Sequence, residues 1–138
     1  MRVGLRPIGI VRSPFKRVED VPRECGPTVG EIEVFKEYEP GLEGIEKGSH
    51  LIMLWLFHQS KGYSLRVKPL HHEDIQGVFA TRHTDRPSPI GFTIVELLER
   101  MGNVLMVRGV DMVDGTPVVD IKHHTYIWKS EKKANQAG

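Results

Sequence analysis

Proline, glycine and aspartate divide the chain into short apolar or alternating runs, and this division limits the possible fold more than any other feature. Runs of this length fit β-strands, because an amphipathic helix needs apolar residues at a 3.6-residue period over about ten or more positions. Strands are predicted at residues 5–12, 28–35, 50–58, 62–69, 78–80, 90–98, 103–110 and 118–121. The pattern predicts an all-β fold, and a small β-barrel of about seven strands with long loops is preferred to a sandwich.

Two of these runs predict which side chains face the core. Residues 28–35 alternate, which places Ile32 and Val34 on the inner face of a half-exposed strand. Residues 50–58 are apolar at almost every position, so they are predicted to form a central strand that is covered on both faces. One helical turn is expected within residues 40–46, shortly before a glycine.

The composition fits one domain with a substantial core. The chain has 138 residues, 39% of them hydrophobic, and it contains no apolar run long enough to span a membrane. We predict a single domain over residues 1–129 and a flexible, lysine-containing tail over residues 130–138. The N-terminus has no secretory signal and Cys25 is the only cysteine, which favours the cytoplasm.

The charge and the missing motifs restrict the function. The net charge is +1, so a role with RNA would depend on a local basic surface or on dimerisation. The sequence lacks the glycine-rich dinucleotide motif, the phosphate-binding loop and the Gly-x-Ser-x-Gly nucleophile motif. These absences argue against the familiar dinucleotide enzymes, P-loop ATPases and α/β-hydrolases.

Paired histidines raise the question of a metal site. His71-His72 and His123-His124 lie near acidic residues, but neighbouring residues of a strand point to opposite faces of a sheet. Solvated or hydrogen-bonded histidines are therefore the preferred interpretation, and no metal is predicted. A nucleophilic Cys25 paired with a histidine remains a weaker alternative.

A rigid polar elbow joins the runs 78–80 and 90–98. Pro87 and Pro89 fix their own φ and disfavour helix at the residues before them, so this segment forms neither helix nor sheet interior. Arg82 and Arg86 suit a carboxylate or phosphate, since arginine offers a planar fork of donors, and Gly91 permits close approach to the backbone. The alternative is an ordinary proline-rich hairpin loop with solvated arginines.

Two long motifs resemble a known family. They are Gly77-Val-Phe-Ala-Thr-Arg-x3-Arg-Pro-Ser-Pro-Ile-Gly91 and Val110-Asp-x2-Asp-Gly-Thr-Pro-Val-Val-Asp-Ile-Lys122. Shorter matches occur at residues 8–15, at 21–23 with Gly26, and at 49–51 with 57–59. Together they resemble the TrmO (TsaA) family of S-adenosylmethionine-dependent tRNA methyltransferases over residues 8–122.

The resemblance implies a fold, an activity and a cofactor site. It implies a small β-barrel catalytic domain, a homodimer, and methylation of the exocyclic nitrogen of threonylcarbamoyladenosine next to the anticodon in tRNA. By position it assigns the binding of S-adenosylmethionine to Glu24, Cys25, Gly26, His58, Gln59, Arg82, Phe92, Arg108, Gly109, Val110 and Asp111. The chemistry agrees, because Arg82 suits the carboxylate of that cofactor and Asp111 suits its ribose hydroxyls.

A catalytic base is expected, because the acceptor nitrogen is conjugated and has little lone-pair density until its proton leaves. The sequence offers Asp114, Asp120 and His58 as bases without ranking them. Substrate binding is assigned to Arg86, Ser88 and Lys122, and a basic face for tRNA to Lys61, Arg66, Lys68, Arg86, Lys122 and Lys129.

The sequence also departs from the family pattern. The departures are Ser88 in place of asparagine, His123-His124 in place of proline and tyrosine, and Glu24-Cys25 in place of glutamine and proline. The changes at Ser88 and His123-His124 keep an alternative function open: an S-adenosylmethionine-binding sensor, or a small-molecule methyltransferase barrel without activity on tRNA.

Overall fold

The computed structural model describes residues 1–22, 26–69 and 72–125. The strands within this part of the chain are β1 (Gly9–Arg12), β2 (Val29–Val34), β3 (His50–Leu56), β4 (Arg66–Val67), β5 (Gln76–Gly77), β6 (Ile90–Met101), β7 (Val104–Arg108) and β8 (Pro117–His123). Short 3₁₀ helices occur at Val18–Asp20, Lys36–Leu42 and Val78–Ala80. The prediction of a mostly β fold is confirmed. The predicted tail 130–138 lies outside the described residues.

Six of the strands form one closed ring. They hydrogen-bond in the order β1-β2-β7-β6-β3-β8, every pair is antiparallel, and β8 returns to β1. Strands β4 and β5 pair with each other outside the ring. The ring therefore has one strand fewer than the approximate number predicted, because residues 62–69 and 78–80 contribute nothing to it.

The core lies inside the ring, where alternate side chains of each strand meet. Ile32 and Val34 are buried as predicted. In β3 only alternate residues are buried, among them Leu51 and Met53, so the prediction that both faces would be covered is wrong. The reason is that a closed sheet has one inner face, and the outward residues of β3 stay half-exposed.

The run 78–80 is a 3₁₀ helix and not the predicted strand. The Thr81 amide donates to the Val78 carbonyl at 3.1 Å, and the Thr81 hydroxyl donates to the same oxygen at 2.8 Å. A local hydroxyl of this kind competes with sheet pairing for the backbone. The predicted helical turn at 40–46 lies earlier, at Lys36–Leu42. Residues 62–69 form a strand only at Arg66–Val67.

Candidate active site

A cavity of about 590 Å³ opens at the end of the ring where β3 finishes and β6 begins. Its walls come from the end of β3, the start of β6, residues 81–86, and the segment that joins β7 to β8. Antiparallel pairing of β3 with β6 sets Trp55 opposite Gly91 and Met53 opposite Thr93. The ring therefore brings together segments that are far apart in the sequence.

One wall of the cavity is aromatic. Trp55 is buried and meets the Phe57 ring edge-on, with 4.5 Å between ring centroids. Gly91 makes room for the indole, since a Cβ at this position would lie 2.6 Å from Trp55 Cδ2. The close approach predicted at Gly91 is therefore the approach of a neighbouring side chain. The result is a flat apolar surface of the kind that accepts a heterocyclic ring.

A cation lies beside this wall. The guanidinium carbon of Arg82 stands 5.5 Å from the centroid of the Phe92 ring, within cation–π range. Among the described residues the Arg82 side chain makes no hydrogen bond, and Arg82 itself is exposed. Its donors are thus available to an anionic ligand in the cavity.

A buried relay holds a carboxylate near Arg82. Trp55 Nε1 donates to Thr93 Oγ1 at 3.0 Å, and Thr93 Oγ1 donates to Asp111 Oδ1 at 2.6 Å. Burial raises the pKa of Asp111, while the hydrogen bond from Thr93 and the charge of Arg82 oppose the rise. The threonine hydroxyl donates its only proton to Asp111 while it accepts from Trp55, so the orientation of Asp111 depends on Trp55 as well.

The loop that carries Arg82 is held together by its own hydrogen bonds. The His83 amide donates to Thr81 Oγ1 at 3.1 Å, and the Asp85 amide donates to His83 Nδ1 at 3.1 Å. Arg86 Nη1 donates to the Thr81 carbonyl at 2.8 Å and to the His83 carbonyl at 3.2 Å. The elbow is therefore a compact turn in which Arg86 is hydrogen-bonded to the backbone and Arg82 remains exposed.

The family of this chain follows from its similarity to known proteins. Residues 10–130 match the family model of the tRNA-methyltransferase O N-terminal domain. The chain belongs to the tRNA-methyltransferase O family. The resemblance drawn from the sequence motifs is thereby confirmed.

Two curated relatives and one solved structure illustrate the family. A probable S-adenosyl-L-methionine-binding protein of Pyrococcus abyssi is 50% identical over 125 residues, covering 88% of this chain and 68% of the relative. The tRNA (adenine(37)-N6)-methyltransferase of Escherichia coli is 42% identical over 128 residues, which cover 83% of this chain and 54% of the relative. A crystal structure of TrmO aligns with a TM-score of 0.76 at 38% identity, and the alignment covers 91% of this chain and 58% of the TrmO chain. This chain thus spans little more than half the length of the last two.

In this tRNA-methyltransferase O family member, part of the predicted site comes together in the cavity. The predicted residues in its lining are His58, Gln59, Arg82, Arg86, Phe92 and Asp111, together with Lys61 from the predicted basic face. Glu24, Cys25 and Lys129 lie outside the described residues.

Other predicted residues of this family member are described but lie outside the lining. They are Gly26, Arg66, Lys68, Ser88, Arg108, Gly109, Val110, Asp114, Asp120 and Lys122. Arg108 is ion-paired with Glu96 at 2.9 Å, and Val110 is buried in the core. Gly109 has a φ of +106°, which glycine adopts readily, where the chain turns toward Asp111. This segment shapes the approach to Asp111 and does not itself face the cavity.

Two of the three candidate bases stand apart from the cavity. Asp114 Oδ1 accepts from the Ser13 amide at 2.9 Å and Oδ2 accepts from Lys16 at 3.0 Å, and these contacts lower the pKa of Asp114. Asp120 pairs with Lys122 at 2.8 Å and lies at a second cavity, of about 620 Å³. Of the three candidate bases, only His58 lines this cavity.

Sequence reasoning missed Trp55, Thr93 and Asp85 as parts of the site. Trp55 and Thr93 belong to two apolar runs, and neither run by itself predicts how β3 and β6 align with each other. Asp85 lies within the elbow motif, and only the fold shows that it lines the cavity.

The described residues contain no cluster of three or more histidine, cysteine, aspartate or glutamate side chains suited to a metal. The described part of the chain also has no helix that is long and apolar enough to cross a membrane.

Proposed function

We propose that this chain binds S-adenosylmethionine in the cavity at the end of β3 and β6. We further propose that it transfers the methyl group to the exocyclic nitrogen of threonylcarbamoyladenosine beside the anticodon of tRNA. The observation that carries the proposal is the grouping of Arg82, Phe92 and the relay-held Asp111 in one cavity. The names of the Pyrococcus and Escherichia coli relatives support the cofactor and the kind of substrate.

The residues present fit the cofactor. The volume of about 590 Å³ lies within the range of small-molecule sites. Arg82 offers unshared donors to a carboxylate, and Asp111 offers acceptor oxygens to ribose hydroxyls. The wall around Trp55 and Phe92 suits the adenine ring. These three features match the three parts of the molecule that need recognition.

The reaction needs alignment and the removal of one proton. When bound, S-adenosylmethionine supplies a methyl group on a sulfonium that leaves readily. The cavity walls would hold the acceptor and the methyl donor together, which would convert a bimolecular encounter into an oriented one. As the acceptor nitrogen takes the methyl group and the neutral thioether leaves, a base of this chain would accept the proton of that nitrogen. We assign that base to His58, because it lines the cavity and imidazole is the usual base near neutral pH.

One assay tests the substrate. Purified protein is incubated with radiolabelled S-adenosylmethionine and with tRNA that either carries or lacks the threonylcarbamoyl group. Methyl transfer only to the modified tRNA supports the proposal. Binding of the cofactor without transfer to either tRNA would contradict the enzymatic part and favour the sensor that the departures at Ser88 and His123-His124 left open.

We also propose that the chain acts in the cytoplasm as a homodimer. Apolar side chains are exposed outside the ring, among them Tyr63, Leu65 and Phe79. Large exposed apolar side chains of this kind can be buried when two chains associate. Light scattering at micromolar concentration is expected to give twice the mass of one chain. A monomer with full methyltransferase activity would contradict the dimer.

A further inference from the structure

Arg86 lines the cavity, yet part of its guanidinium turns back to its own loop. Nη1 donates to the carbonyl of Thr81 at 2.8 Å and to the carbonyl of His83 at 3.2 Å. These two carbonyls belong to the residues immediately before and after Arg82. A single charged donor therefore clamps the backbone on both sides of the residue that faces the ligand.

The remaining hydrogen bonds of the loop extend this clamp. Thr81 Oγ1 donates to the Val78 carbonyl at 2.8 Å and accepts the His83 amide at 3.1 Å. The Asp85 amide donates to His83 Nδ1 at 3.1 Å. Thr84 Oγ1 donates to Asp85 Oδ1 at 3.3 Å. In the segment 81–86, which is fully described, Arg82 is therefore the residue whose side chain makes no hydrogen bond. The loop thus holds the neighbours of Arg82 and leaves its guanidinium donors unused, with the Phe92 ring as the contact of that guanidinium.

We infer that Arg86 is a positioning residue, which holds the backbone around Arg82 so that the Arg82 guanidinium is presented to the cavity in one orientation. This role is an alternative to the predicted direct contact of Arg86 with the substrate, and it deepens the proposed function, on which its cofactor arm rests. Arginine suits this task because hydrogen bonds from a charged donor are stronger than those from a neutral one. A loop that is already ordered before binding loses less conformational entropy when the ligand binds, so the affinity is higher.

A double-mutant cycle tests the coupling. Calorimetry with S-adenosylmethionine is run on the wild type, Arg82→Ala, Arg86→Ala and the double variant. If Arg86 acts through Arg82, Arg86→Ala weakens binding by about tenfold in the wild type and by less than about twofold in the Arg82→Ala background. Equal losses in the two backgrounds would mean that Arg86 meets the ligand independently, which overturns the inference.

Arg100 provides a matched control. It also holds two backbone carbonyls, those of Gly102 at 2.9 Å and Leu42 at 3.3 Å, but it is not in the cavity lining. Arg100→Ala removes the same kind of contact and is expected to leave cofactor affinity within about twofold of the wild type. An equal loss of affinity in Arg100→Ala would show a general loss of fold and would overturn a specific role for Arg86.

A measurement without ligand separates this inference from the proposed function. Amide hydrogen exchange of His83 and Asp85 is followed in the wild type, Arg86→Ala and Arg86→Lys, each first shown to unfold cooperatively. We expect at least about tenfold faster exchange in Arg86→Ala and partial rescue by Arg86→Lys. Unchanged exchange in Arg86→Ala overturns the inference whether or not the wild type binds S-adenosylmethionine, whereas a wild type that fails to bind it overturns only the proposed function.

Discussion

Arg82 contributes a cation that contacts the Phe92 ring and forms no hydrogen bond within the described residues. Arg82→Ala should therefore remove a ligand contact without breaking an internal hydrogen bond. S-adenosylmethionine affinity is expected to fall by about 1.5 kcal/mol or more, the size of a lost charged hydrogen bond. Calorimetry gives the affinity, and thermal unfolding of the ligand-free variant is expected to match the wild type. An unchanged affinity would remove Arg82 from the cofactor site.

Asp111 is the residue where stability and binding should conflict. Burial raises the pKa of Asp111, so its folded pKa lies above the unfolded value. An ionised group of this kind destabilises the fold at neutral pH, and the cost disappears as the pH falls below the unfolded value. Asp111→Asn keeps an oxygen for Thr93 and removes the charge.

The thermal midpoint of ligand-free Asp111→Asn is therefore expected to exceed that of the wild type at neutral pH and to match it near about pH 3. Affinity for S-adenosylmethionine is expected to fall about tenfold, because an amide is a poorer acceptor for ribose hydroxyls. Thermal unfolding across pH and calorimetry at neutral pH check both parts. A lower midpoint for the variant at neutral pH would mean that attraction to Arg82 outweighs burial.

At the scale of elements, the turn into β8 depends on Asp114. This carboxylate accepts from the Ser13 amide and from Lys16, and the two contacts lower the pKa of Asp114. Stability that comes from a depressed carboxyl pKa is present above the unfolded pKa and is lost as the pH falls through the folded pKa. Asp114→Asn should therefore be less stable than the wild type at neutral pH, and the difference should vanish at acid pH.

The Asp114 effect is expected to be below about 1 kcal/mol, since the carboxylate is partly exposed and screened by solvent. Urea unfolding at neutral and acid pH measures it. Methyl transfer should be nearly unchanged, because Asp114 does not line the cavity. Loss of most activity with little loss of stability would restore Asp114 as a candidate base.

Much of the sheet could be predicted from the sequence, because alternation along a strand reports its inner face directly. Ile32 and Val34 are examples. The extent of pairing could not be predicted, since it depends on which neighbour a strand finds. Residues 78–80 have strand-like composition, but the hydroxyl of Thr81 closes a 3₁₀ turn there. Residues 50–58 were expected to be covered on both faces because almost all of them are apolar, yet in β3 only alternate residues are buried and the others stay partly exposed.

The candidate site was predictable where one local motif carries it. Arg82, Arg86 and Phe92 come from a single continuous stretch and line the cavity together. The hydrogen bonds of Thr93 were not predictable. They join β3, β6 and the segment between β7 and β8, and these elements come together only when the strands pair. Asp114 and Asp120 were proposed for their chemistry alone, and each is used elsewhere by a nearby lysine.

At the scale of the whole molecule, a net charge of +1 leaves tRNA binding to local cations. Lys61 lines the cavity and is exposed, and no ion pair involves it among the described residues. Lys122 is instead paired with Asp120 at 2.8 Å, outside the lining. Lys61→Ala is expected to reduce the slope of log affinity against log salt by about 0.7 to 0.9, the effect of one phosphate contact.

Filter binding of tRNA at several salt concentrations measures that slope, and Lys122→Ala serves as the matched control with a smaller change. Cofactor affinity should stay the same in Lys122→Ala, because Lys122 lies outside the cavity lining. Equal slopes for the wild type and Lys61→Ala would exclude a phosphate contact at this residue.

The ring is closed by the pairing of β1 with β8, at Gly9 with Val118 and Ile10 with Pro117. Among the six strands of the ring, β1 is synthesised first and β8 last, so a nascent chain on the ribosome holds an open sheet until β8 emerges. During that time β1 and β3 each lack one neighbour, and exposed strand edges invite pairing with other chains. A premature stop before β8 would therefore leave an aggregation-prone fragment and not a smaller working domain.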